Sequence, residues 1–553
     1  MVRRGTRSIV WLVSVMLVGG LTGSAAGGWA NAALQASALH PHVAKAAAFD
    51  RSKALRVLAK QPVGKVAKPH VPEHGAHVAD TGFTGDAAVQ TTKAANAAIA
   101  KPVVTFEGIS NADNQDLFGF SVSPPDPDGD VGPNHYVEIV NLAFQVFSKT
   151  GTTLLGPAPI GSLWDGFAIE DCTDPSGDPI ALYDQLADRW ILTQFTTRGP
   201  TYYNCVAVSQ TPDPTGAYFR YAFSTGVNFP DYPKYGVWPN AYFLSTREFA
   251  PDDSFAGIGA YALNRDQMLA GDPDASVVSF LFPPGTTPYL TGDGLLPTDL
   301  DGTTLPPAGS ANYFVGTMDD GAQYGAPFDG INVFAFSVDW ANPGAASFTQ
   351  VAQLPVASFD SIYPCRPGSR NCIQQPDTKN KIDILSYRQR PTWRLAYRNF
   401  GGYESFVTNQ SVEAQPALAG VRWYELRLVN GQFSVYQQGT FAPNSLHRWM
   451  GSAAMDAFGN IALAYSVSNR VIHPGIRYTG RLSGDPLGEM TLGEAVLKRG
   501  TGSQTGSARW GDYTSLNVDP NDDCTFWYVN EYYETSSFSG WQTRIGSFRL
   551  PGC

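Results

Sequence analysis

The chain has 553 residues, with 38 Lys and Arg against 49 Asp and Glu, a formal net charge of −11 and 12% aromatic side chains. A body this acidic repels free polyanions, so nucleic acid is not an expected partner. Long amphipathic helical patterns are missing, and abundant aromatics with 56 Gly and 40 Pro predict an all-β protein of short strands and tight turns.

Arg3, Arg4 and Arg7 precede an apolar run from Ile9 to Leu21, followed by small residues with cleavage points near Ala26 or after Ala30-Asn31-Ala32. This predicts a signal peptide over 1–32. No later stretch reaches the roughly 18 apolar residues of a membrane span. A secreted protein, extracellular or periplasmic and monomeric, is expected. Residues 33–102 are basic and rich in Ala, Lys and His, with Phe49 and Phe83 the only aromatics, and read as a disordered linker or a removable propeptide. The remainder, 103–553, carries 26 basic and 45 acidic side chains.

From Phe118 onward one pattern returns seven times: a strand-like stretch, a turn rich in Asp, Pro or Gly, then an aromatic or aliphatic strand. Its copies begin at Phe118, Asp178, Tyr232, Leu295, Ile382, Arg448 and Trp510. The spacing is that of propeller blades with variable loops, so 103–553 is predicted to be a seven-bladed β-propeller. Closure requires the first and last segments, near Val103–Phe106 and Thr543–Leu550, to meet in the same or adjacent blades. Six cysteines, at 172, 205, 365, 372, 524 and 553, suit disulfides in an oxidising compartment, with nearest-neighbour pairing expected among fifteen combinations.

In blade one, the turn Asp126-Pro-Asp128-Gly-Asp130-Val-Gly-Pro-Asn134 offers oxygen ligands at positions 1, 3, 5 and 9. That set fits Ca²⁺, while Val131 and Val137 depart from the EF-hand. The rival reading is a tight Asp-Pro turn. In a propeller the first strand of each blade lines the axis, so polar residues at its entry converge from distant parts of the chain. Asp178, Asp231, Asp512 and Glu531 are the candidate catalytic carboxylates, because two such groups across a channel can act as acid and base or nucleophile on a glycosidic bond. Lys234, Trp238, His447, Arg448, Arg509 and Trp510 are candidate ligand contacts. His447-Arg448-Trp449 and Ala508-Arg509-Trp510 open two blades alike, and paired guanidiniums would grip a carboxylate or sulfate beside aromatic faces. Against this stands a structural role for each Arg as an ion-pair partner. HExxH, G-x-S-x-G, the phosphate loop and the dinucleotide fingerprint are absent from the sequence.

Ser209-Gln-Thr-Pro-Asp213-Pro-Thr-Gly216-Ala-Tyr218 and Ser452-Ala-Ala-Met-Asp456-Ala-Phe-Gly459-Asn-Ile461 resemble stretched Asp-boxes of sialidase-like propellers. The segments PPDPDGDVGPNHYV and RWGDYTSLNVDPNDDCTFWY are similar to uncharacterised secreted bacterial propeller proteins. The resemblance implies a propeller fold and an exported protein. Three functions are therefore carried forward: a module binding a carbohydrate or acidic glycan at the channel mouth; a sialidase-like glycoside hydrolase or polysaccharide lyase; and an extracellular protein-protein scaffold.

Overall fold

Segments such as Tyr136–Val140 and Phe526–Tyr532 combine β-branched and aromatic residues without Gly or Pro, and both form strands buried on both faces. The computed structural model describes residues 39–60, 85–90, 99–284, 290–321, 325–361, 371–384 and 389–553. The expected signal peptide and the Cys365–Cys372 pairing lie outside these residues. The described chain is all-β, with only short helices between strands.

Its strands run as successive antiparallel meanders of four. Sheet one covers 128–159, sheet two 181–226, sheet three 229–282, sheet four 296–355, sheet five 392–441 and sheet six 447–498. Sheet seven has three strands from 515–548 and takes its fourth, Val104–Ser110, from the N-terminal side. Sheets four and five are joined by parallel pairing of Leu296–Leu300 with Thr392–Asn399. The first strand of each sheet lies beside the first strand of the next, and that of sheet seven lies beside that of sheet one. Antiparallel registers such as Ile545 opposite Phe106 therefore join the two ends of the expected ring.

A disulfide ties the C-terminal tail to sheet seven, and two hydrogen bonds join this closure to sheet one. Cys524 and Cys553 form a disulfide, and Glu138 of sheet one accepts the Ile109 backbone N–H at 2.9 Å and the Thr543 hydroxyl at 2.5 Å. Cys172–Cys205 is the second disulfide among the described residues, also between nearest neighbours.

The described parts of residues 33–102, expected as a disordered linker or a propeptide, include three short strands. His42–Lys45 pairs with Ser276–Phe282 and Ala48–Arg51 pairs with Tyr218–Gly226, adding a fifth strand to sheets three and two. Val89–Gln90 adds in parallel to sheet five. Edge strands need no core of their own, because the sheet they extend supplies backbone partners and apolar surface. Asp50 pairs with the buried Arg220, and Asp86 with the fully buried Arg422. Composition could not show this, since the signal lies in a few side chains.

Candidate functional site

A left-handed residue recurs just before the first strand of four sheets, at Asp126 (φ 46°), Asp178 (φ 51°), Gly292 (φ 53°) and Gln389 (φ 43°), and within the first half of that strand in two more, at Tyr232 (φ 54°) and Met450 (φ 49°). Asp tolerates this backbone region, whereas Tyr, Gln and Met adopt it at a cost that the surrounding structure must offset. In sheets three and six it coincides with a register shift, between Asp231 and Lys234 and between Trp449 and Ser452. The repeated kink turns the residues flanking it out of the ladder at one end of the first strands.

The side chains presented there form one cluster. Asp178 accepts the Tyr513 hydroxyl at 3.1 Å and is held well above the usual carboxylate range by burial, then by Asp126, Asp231 and Asp512. Asp126 accepts the Asp512 backbone N–H and an Asn141 amide N–H, both at 2.6 Å, and is pushed up to about 7 by burial and by Asp512. Glu531, fully buried, accepts the Gly511 N–H at 2.5 Å through one oxygen; burial raises it well above its ordinary value, and its Oε2 has no hydrogen-bond partner. Asp231 and Asp512 lie at the more open edge, their side chains 14% and 15% exposed. Asp231 pairs with Arg247 at 3.2 Å; Asp512 pairs with Arg509 at 3.2 Å and faces Arg390 at 3.9 Å.

Lys234 sits inside this ring. Its Nζ lies 3.1 Å from the Tyr232 ring centroid and 3.4 Å from that of Tyr513, and donates to the Pro233 carbonyl at 3.3 Å. Burial drives its ammonium well down, opposed chiefly by Asp178. On the other side of Tyr232, the Arg390 guanidinium lies 3.8 Å from the ring centroid. Carboxylates, an amine, guanidiniums and tyrosines from sheets one, two, three, five and seven thus meet at one place.

The structure accordingly brings together Asp178, Asp231, Asp512, Glu531, Lys234 and Arg509, and adds Asp126 from the expected metal set. Arg247, Asp293, Gln389, Arg390, Tyr232 and Tyr513 were not singled out by sequence. Tyr232-Pro-Lys234 and Gln389-Arg390-Pro391 do share with Asp126-Pro and Asp178-Pro a proline near the kink, and that recurrence was the available signal.

Other expectations are corrected. Arg448 does not share a space with Arg509: its Nε donates to Glu494 at 2.9 Å, and it lies against Phe441 and Tyr465 within sheets five and six. Trp449 and Trp510 are buried against each other, centroids 5.4 Å apart, and Trp238 is buried edge-on to Tyr397, so none presents an open face to a sugar. His447 accepts the Ala419 N–H through Nδ1, burial lowers it to about 4, and it lines a separate cavity of about 380 Å³ with Gln415 and Asn444.

Four residues of the turn expected to hold Ca²⁺ form a strand. Asp128–Val131 pairs with His135–Val140, and Asp128 and Asp130 accept the Ala181 and Tyr183 N–H groups of sheet two. Asn134 is exposed, and among the described residues Asp126, Asp128 and Asp130 do not form a group with carboxylate oxygens mutually within 4.8 Å. Alternate residues of a strand share a face but are spread along it. The Asp-box-like segments act as local turns: Asp213 accepts Thr215 N–H, and Asp456 accepts those of Phe458 and Asn460.

No protein-family model matches the chain, and no curated protein sequence matches it. Solved structures do. A thermostable family-43 glycoside hydrolase is 11% identical, covering 62% of this chain and 98% of its own, at a TM-score of 0.31. A family-25 polysaccharide lyase, an ulvan lyase, is 9% identical, covering 85% and 96%, at 0.36. The α-L-arabinanase of Penicillium chrysogenum, solved with arabinobiose, is 9% identical, covering 58% and 94%, at 0.28.

Proposed function

We propose that the chain is a secreted glycan-active enzyme, a glycoside hydrolase built on a closed seven-bladed β-propeller, with its active site at the kinked entry of the first strands. The observation that carries this reading is the convergence of carboxylates whose surroundings differ. Asp178 is raised by burial and by three neighbouring acids, whereas Asp512 stands at the open edge between two guanidiniums. Pairs of acids placed in contrasting environments are how one site holds a proton donor beside an acceptor. In this reading Asp178 protonates the leaving glycosidic oxygen, and Asp512 activates water or attacks the sugar carbon. Asp126 and Asp231 add to the raising of Asp178, and Glu531 lies within electrostatic reach of Asp126 and Asp512. Two disulfides in the described residues support export, since such bonds persist in oxidising compartments.

The test is incubation of the purified protein with a panel of neutral and acidic polysaccharides, followed by mass spectrometry of the products. A hydrolase adds one water per bond cut, and loss of the cut in both Asp178→Asn and Asp512→Asn is expected. Products carrying an unsaturated sugar would instead identify elimination. Binding without any cut would return the chain to the carbohydrate-binding reading.

A further inference from the structure

Around Tyr232 the polar groups do not balance. The Tyr232 hydroxyl is buried and has no hydrogen-bond partner; nor has Nε of Arg390, Nε of Arg247, or either polar atom of the Gln389 amide. All four residues are at least nine-tenths buried, at 3%, 3%, 6% and 1% exposure for Tyr232, Arg390, Arg247 and Gln389. Buried polar atoms are almost always paired, and an unsatisfied donor on a cation is the costliest case. Of the two guanidiniums, that of Arg390 lies 3.8 Å from the Tyr232 ring centroid, and that of Arg247 pairs with Asp231, the chain neighbour of Tyr232.

The nearby acids already have partners. Arg247 spans Asp231 at 3.2 Å and Asp293 at 3.6 Å, and Asp512 lies between Arg509 and Arg390. Tyr513 donates to Asp178, and among the described residues Lys234 Nζ donates to the Pro233 carbonyl alone. What is left over is an excess of donors: two guanidinium N–H groups, a phenol, an amide NH₂ and further N–H capacity on Lys234, against the one unpaired carbonyl oxygen of Gln389. A carboxylate offers two oxygens with about four lone-pair sites and the charge that guanidinium forks select. A neutral sugar hydroxyl would fill one acceptor position while bringing another donor.

The position of this group narrows its ligand. Gln389 and Arg390 enter sheet five and Tyr232 enters sheet three; between them Gly292 of sheet four approaches so closely that a Cβ there would meet the Gln389 carbonyl oxygen at 2.6 Å. The cluster is continuous with the acid pair through Asp512, which faces Arg390, and through Lys234, which shares the Tyr232 ring with Arg390. A sugar bonded at Asp178 and Asp512 would thus carry its own acidic substituent, or that of the adjoining residue, into the donor-rich group.

We propose that Arg390, Gln389 and Tyr232, with Arg247 behind them, form a subsite for the carboxylate of a uronic acid, so that the substrate is a uronate-containing glycan. This rests on the glycoside hydrolase reading for its place beside the cleaved bond, but the binding claim stands on its own measurement.

The experiment is isothermal titration calorimetry of the full chain with sodium glucuronate and sodium galacturonate, against glucose, methyl glucuronate ester and sodium sulfate. The same series is run on Arg390→Lys and Gln389→Ala, each first shown by its melting curve to be folded. The expected result is binding of a uronate at least about tenfold tighter than of glucose or the ester, weakened about tenfold or more in Arg390→Lys because the planar fork is lost while the charge remains. Gln389→Ala should weaken it less. Uronate and glucose binding alike, no uronate binding, or an unchanged affinity in both variants would overturn the subsite and leave the unpaired groups to ordered water. Sulfate binding as tightly as uronate would overturn the assignment to a carboxylate. Cleavage of neutral polysaccharides by a protein that ignores uronates would defeat this proposal alone, whereas uronate binding without cleavage of any polysaccharide would defeat the hydrolase reading alone.

Discussion

Arg448 and Arg509 open equivalent strands with the same Arg-Trp pair, yet their surroundings give them different work. Arg448 is fully buried and its charge is met by Glu494, which also accepts the Tyr465 hydroxyl at 2.7 Å and pairs with Arg477 at 2.6 Å. Removing one member of a buried pair costs about 3–5 kcal/mol when the other is left without a partner. Glu494 keeps Arg477 and Tyr465, so the loss here is smaller, joined by the packing of Arg448 on Phe441 and Tyr465. Arg448→Ala should therefore lower the melting temperature by several degrees while leaving any glycan cleavage by the folded fraction unchanged, which differential scanning calorimetry and the cleavage assay together would check. A loss of activity without loss of stability would return Arg448 to the site. Legibility at this scale followed chemistry: acids and the lysine beside Asp-Pro and Tyr-Pro turns were found from sequence because their local context repeats. Burial decides which of two identical dipeptides reaches a ligand, and it depends on partners such as Glu494 that lie far away in the chain. The same reasoning explains the missed Arg390 and Arg247, whose acidic partners Asp512, Asp231 and Asp293 lie far from them in the chain.

At the scale of elements, closure rests on the pairing of Val104–Ser110 with Gln542–Phe548, held to sheet one by Glu138, with a disulfide tying the C-terminal tail to sheet seven. Glu138 is fully buried and pushed up to about 8 by burial, the hydrogen bonds from Thr543 and Ile109 notwithstanding. Its folded value lies above the unfolded one of 4.5, so the native state holds a proton that the unfolded state releases between about pH 4.5 and 8. Stability from this group is fully present below that window and is lost as pH rises through it. Glu138→Gln cannot ionise; its melting temperature should fall less than that of the wild type between pH 5 and 8, and equal slopes would contradict a buried neutral acid. The disulfide closes a loop with a sequence separation of 29. Chain entropy assigns such a bond about 3–4 kcal/mol. Cys524→Ser with Cys553→Ser should melt several degrees lower and lose the response of the C-terminal pairing to reductant; an unchanged melting curve would show that the strand pairing alone holds the ends. The strand repeat and the nearest-neighbour pairing were legible because turns and cysteine spacing are local. The docked leader strands were not, because an added edge strand draws its stability from the sheet it joins.

Across the whole molecule, the neighbour order of the first strands brings sequence-distant entries from five sheets into one neighbourhood. No single repeat contains an acid pair and a cation cluster; Asp126, Asp178, Lys234, Arg390 and Asp512 belong to five different sheets or the loops that lead into them. The central claim is that this neighbourhood separates a proton-bearing acid, Asp178, from Asp512 and uses them on a glycosidic bond. The direct measurement is the rate of polysaccharide cleavage, as kcat/KM against pH, for the wild type and for Asp178→Asn, which keeps the size of the side chain and an acceptor for the Tyr513 hydroxyl. The account predicts a wild-type rate that declines on the alkaline side as the acid loses its proton, and a variant slower by about 10²–10⁴-fold with that alkaline limb abolished. An Asp178→Asn protein that cleaves as fast as the wild type with the same pH profile would contradict it.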